Sequence, residues 1–101
     1  MKTFLLSFDP LSNSIKATQL LTFIQESRKV SQYYAPFVGA YVIKSEASIH
    51  DLQEAFAGIF DQTLFMIVEM EQGAVGGRLP INMWPFVNGQ VIPALGWLQN
   101  Q

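Results

Sequence analysis

Apolar and polar positions alternate from the start of the chain. Between Lys2 and Phe8, Phe4, Leu6 and Phe8 alternate with Thr3, Leu5 and Ser7, the two-residue period of a strand. Leu5 makes the second face partly apolar, which predicts a strand covered on both sides and therefore central. Asp9-Pro10 ends it, because proline has no N–H to give to a ladder. The period then lengthens. From Ile15 to about Arg28, Ala17, Leu20, Leu21 and Ile24 follow the i, i+3, i+4, i+7 spacing of an amphipathic helix, with Ser12, Asn13 and Ser14 available as N-caps. Val30 to Tyr34 is rich in β-formers, Pro36 to Gly39 supplies a turn, and Ala40 to Lys44 reads as the returning strand of a hairpin.

The second helix has the clearest pattern. Ser48 is placed to cap it, with Asp51 three residues on. Ile49, Leu52, Phe56, Ile59 and Phe60 then mark one face, and Asp61-Gln62 breaks the run. Thr63 to Met70 is a further strand, with Leu64, Met66 and Val68 on one side and Phe65 and Ile67 on the other. The order strand, helix, strand, strand, helix, strand predicts an α+β fold, a ferredoxin-like βαββαβ sandwich with right-handed crossovers. The apolar character of the first and fourth strands places both at the sheet centre.

Beyond Glu71 the pattern changes again. Residues 1–71 form the expected core, and 72–101 form an apolar C-terminal arm. Gly73, Gly76 and Gly77 read as its hinge. Leu79 to Leu98 is apolar and broken by Pro80, Pro85 and Pro93, a pattern that forbids a central strand and allows edge strands. Asn88-Gly89 between two apolar runs is a type I′ hairpin signal. The arm is thus expected to be an extra β element that packs on the core or on a second subunit.

Composition strengthens the case for a partner. Half of the 101 residues are apolar and only 14% are charged, a large apolar surface for so small a body. Oligomerisation buries such an excess, which predicts a homodimer. Tyr33, Tyr34, Phe37, Trp84, Phe86 and Trp97 are the expected interface residues, since aromatic side chains are enriched at interface cores. The net charge of −2, with basic residues scattered, argues against tight nucleic-acid binding, which depends on neutralising phosphates. The absence of cysteine excludes disulfides and thiolate metal sites and fits a cytoplasmic protein. No segment approaches the length of a membrane span, and the first apolar stretch is too short for a signal-peptide core.

Candidate chemistry is sparse. His50 is the single histidine and lies in the first turn of the second helix, away from Leu52 and Phe56. A lone exposed histidine is more often a surface residue than a base or ligand. Gly73, Gly76, Gly77 and Arg78 match neither the P-loop nor the dinucleotide fingerprint. Asp9-Pro10 has the form of a strand-ending turn.

The opening strand from Lys2 to Asp9 resembles that of the small CRISPR-associated adaptation nucleases and their SinR-like relatives. Val38 to Ser45, Ser48 to Phe60 and Thr63 to Glu69 are similar to the hairpin return, second helix and fourth strand of the SinR-like group. The resemblance covers about residues 1–70. It implies a ferredoxin-like homodimer of bacterial or phage origin, with the chain after the fourth strand packing across onto the partner. For nuclease members it implies an aspartate at the position of Asp9, paired across the dimer axis and holding Mg²⁺.

Three functions therefore stand as expectations. The first is a small homodimeric, non-catalytic interaction protein without a cofactor. The second is a metal-dependent endonuclease using Asp9, and the third a small-ligand-binding dimeric α+β barrel protein.

Overall fold

The structure, a computed structural model, describes residues 1–11 and 16–88. It is α+β, with a four-stranded antiparallel sheet formed by β1 (Lys2–Phe8), β2 (Gln32–Phe37), β3 (Ala40–Ser45) and β4 (Phe65–Met70). Helices α1 (Ala17–Glu26) and α2 (Ile49–Phe60) join β1 to β2 and β3 to β4. A 3₁₀ turn at Ile81–Met83 runs into the short helix α3 (Trp84–Val87). The strand order β2-β3-β1-β4 is compatible with a ferredoxin-like arrangement.

Each strand divides its side chains between two faces, as the pleat requires. Phe4 and Leu6 of β1, Tyr33 of β2 and Ile43 of β3 meet Leu20 and Ile24 of α1 and Leu52, Phe56 and Phe60 of α2 in one buried cluster. Rings order this cluster: Phe60 stacks on Phe65 at 4.8 Å between centroids, and Phe23 meets Phe56 edge-on at 5.3 Å. The opposite face carries a second cluster of Tyr34, Val42, Met83, Phe86 and Val87, with Leu5, Met70, Val75 and Leu79 packed against it.

Local chemistry sets the element ends. The Ser48 hydroxyl accepts from the Asp51 N–H at 3.1 Å and caps α2. Asp61 ends that helix at φ 53°, a conformation costly for a residue with a Cβ. Gly39 turns the β2–β3 hairpin at φ 90°, and a Cβ there would stand 3.1 Å from the Phe8 carbonyl oxygen. α1 starts at Ala17 with Lys16 at the N-cap, whose N–H donates to Gln19 Oε1 at 3.1 Å. The expected caps Ser12, Asn13 and Ser14 lie outside the described residues.

Two expectations are corrected. Among the described residues β4 lies at the sheet edge rather than the centre, and the strands paired on both sides are β1 and β3. Apolar side chains on both faces of β4 describe its faces alone; they carry no information about whether its two edges are hydrogen-bonded. The run from Ile81 to Val87, expected to be extended, is helical. Pro85 falls in the first turn of α3, where its missing N–H costs nothing and its fixed φ suits a helix. Asn88 follows α3 as a turn residue, and its hairpin partner Gly89 lies outside the described residues.

Candidate functional site

Among the described residues, the sheet face opposite the two long helices is covered in part. Residues 79–88 lie across the β2–β3 half, where Phe86 meets Tyr34 edge-on at 6.4 Å between ring centroids. Beneath them is Lys44, fully buried on β3. Its Nζ donates to Thr3 Oγ1 at 2.9 Å and to the Phe86 carbonyl oxygen, and it stands 4.7 Å from the centroid of the Phe86 ring. No carboxylate among the described residues pairs with it. Burial of the ammonium lowers its pKa from 10.5 to about 8. Lys44 thus pins α3 by donating to its Phe86 carbonyl oxygen, holding residues 79–88 onto their own sheet.

Along β4, from Leu64 to Val68, the same face is exposed, while Thr3, Leu5 and Met70 pack toward the cover. Leu64, Met66 and Val68 form a row along β4 that is 79%, 63% and 43% exposed. The outer backbone edge of β4 has no partner strand among the described residues. A cleft of about 310 Å³ on the helical side of this edge is lined by Ile49, Gln53, Phe65, Met66 and Ile67. A shallower one of about 250 Å³ runs past Ser7, Phe8, Leu64, Phe65 and Met66.

A separate cavity of about 440 Å³ opens where the end of β1, the start of α1 and the hairpin meet. Phe8, Pro10, Leu20, Phe37 and Tyr41 give it apolar walls, and Asp9 and Lys16 are its charged residues. Desolvation raises the pKa of Tyr41, with Tyr33 beside it contributing in the same direction.

The structure separates the residues singled out in the sequence. Asp9 is exposed, and its Oδ1 accepts from the Leu11 N–H at 3.0 Å, closing a turn. No group of three or more His, Asp or Glu side chains able to hold a metal occurs among the described residues. Of the expected interface aromatics, Tyr33, Tyr34 and Phe86 are buried within their own chain. Tyr33 faces the long helices, where its hydroxyl accepts from Gln25 Nε2 at 3.0 Å, while Tyr34 and Phe86 cover each other on the opposite face. Aromatic composition pointed to an interface; strand period 2 and the folding back of α3 put these rings in the core instead. Phe37 is 66% exposed, Trp84 is half-buried, and Trp97 lies outside the described residues.

The glycines 73, 76 and 77 form an exposed loop, with Gly73 at φ 82° and Gly77 at φ 143°. Its Gly73 N–H donates to Asn88 Oδ1 at 3.2 Å, which ties the loop to the residue that follows α3. His50 is exposed and pairs with Glu54 at 3.2 Å. Sequence reasoning missed Lys44, although the signal was present: it falls on the same strand face as Ala40 and Val42, a cation on an apolar row. No helix among the described residues is long and apolar enough to cross a membrane. No family model, curated protein or solved structure matches the chain.

Proposed function

We propose that this protein is a small homodimeric, ferredoxin-like interaction module, of the SinR-like sort and without a catalytic role. The observation that carries the reading is the exposed row Leu64, Met66 and Val68 beside a sheet edge with no partner strand among the described residues. Three large apolar side chains in one line on a chain this small form a contiguous patch of the kind that marks a protein contact. The turn-closing role of the Asp9 carboxylate supports the non-catalytic half of the proposal. Multi-angle light scattering on the intact chain tests it: a dimer mass, with no Mg²⁺- or Mn²⁺-dependent nuclease activity, is the expected result. Divalent-metal-dependent cleavage lost in Asp9→Ala would replace it with the endonuclease reading.

One observation favours a second reading, that of a small-ligand-binding α+β protein. The cavity of about 440 Å³ beside Phe8 and Tyr41 lies in the size range of small-molecule sites. A thermal-shift rise with an apolar carboxylate panel, abolished by Ala17→Trp at the cavity wall, would support it.

A further inference from the structure

We infer that two copies of this chain join edge to edge through β4, as an antiparallel pair with Ile67 on the two-fold axis. This rests on the homodimer reading and names its surface.

The two edges of the sheet differ in kind. β2 carries Pro36, and its register with β3 shifts between Tyr34 and Phe37. Proline and bulges are the devices that stop an edge from accepting another strand. β4 has neither: it pairs with β1 in unbroken register from Phe65 to Met70, and it contains no proline, glycine or lysine. It is therefore the pairing-competent edge.

The partner must match β4 on both faces, and β4 matches itself. Antiparallel self-pairing is isologous, so a residue at position i meets one at position j and the reverse contact repeats across the axis. With Ile67 on the axis, Met66 faces Val68 of the other copy and Leu64 faces Met70, so every residue of the exposed row meets an apolar one. Cross-strand pairs of this type are what stabilise a sheet. The clefts that flank β4 on either side lie where the partner's side chains would enter. Charge selects the register further. Glu69 is the only ionisable side chain of β4, and a pairing centred on it would bring two carboxylates together. Centring on Ile67 moves the two Glu69 side chains apart, each opposite Phe65.

The native chain has no cysteine, which makes single-cysteine cross-linking clean. Residues on the axis of an antiparallel pair have Cα atoms about 4.5–5.5 Å apart, within disulfide range. Mild oxidation of Ile67→Cys is expected to give a covalent dimer, and Leu64→Cys is expected to give none. In a parallel arm, Met66→Lys/Val68→Lys is expected to run at the mass of one chain at concentrations where the native protein is dimeric, with an unchanged circular dichroism spectrum. A native dimer that survives the double lysine substitution and leaves Ile67→Cys unlinked overturns the β4 interface while keeping the homodimer. A native monomer overturns both. A monomer whose β4 amides are protected from exchange overturns both as well and puts a segment of the same chain on that edge.

Discussion

Replacing Lys44 by methionine removes a buried ammonium and keeps most of its volume. The pKa of Lys44 falls from 10.5 to about 8 in the folded chain. At about 1.4 kcal/mol per tenfold this amounts to about 3 kcal/mol of stability lost to holding the charge inside, an upper figure because water reaches a relaxing site. Below pH 8 the folded and unfolded chains both carry the proton and the full cost is present. Between pH 8 and 10.5 the folded chain releases the proton while the unfolded chain keeps it, so stability rises with pH. Tyr34 and Tyr41 act in the opposite sense above pH 10, because burial raises both and the unfolded chain ionises first. The native protein should therefore gain stability from pH 8 to 10 and lose it beyond. Lys44→Met leaves Thr3 Oγ1 and the Phe86 carbonyl without their donor, at about 1 kcal/mol each, which the removed charge offsets at pH 7. Urea unfolding at half-unit steps from pH 7 to 10 reads both effects. The expected variant is at least as stable as the native chain at pH 7 and flat up to pH 10. A variant that keeps the native rise, or that loses several kcal/mol at pH 7, refutes the reasoning.

Gly39→Ala should destabilise by about 1–2 kcal/mol in thermal or urea unfolding, since φ 90° disfavours a Cβ and the Phe8 carbonyl oxygen stands 3.1 Å from it. Asp61→Gly should raise the melting temperature, because glycine relieves the positive φ at the end of α2 by up to about 1 kcal/mol. Phe86→Ala empties a fully buried ring site against Tyr34 and beside Lys44, and should cost about 3–5 kcal/mol. Amide exchange in residues 79–88 should accelerate more than in α1 or α2 in that variant.

Periodicity made the core elements legible. The strand pattern of Phe4, Leu6 and Phe8, and the helical stripe of Leu52, Phe56 and Phe60, each named the face that the structure buries. Position within the sheet was less legible, since side-chain pattern reports on faces whereas backbone pairing decides edges. β4 shows the difference: its two apolar faces suggested a centre, and its backbone makes it a rim. The tail misled for another reason. Proline was read as a strand breaker, yet Pro85 at the start of α3 favours a helix, and the segment folds back over Tyr34 and Val42. The buried lysine was visible as a charge on an apolar row, but only the cover supplied by Phe86 turns that position into an interior one. Asp9 drew notice through resemblance, and its contact with Leu11 is the local turn that Asp-Pro sequences commonly form.

Residues 79–88 dock in cis and, among the described residues, the β4 row and edge stay free to pair with a second copy as proposed. Sedimentation velocity of the intact chain across a hundredfold range of concentration tests it most directly. The expected result is a species of twice the 11.3 kDa chain mass that dissociates on dilution. A single species of one chain mass at every concentration would contradict it.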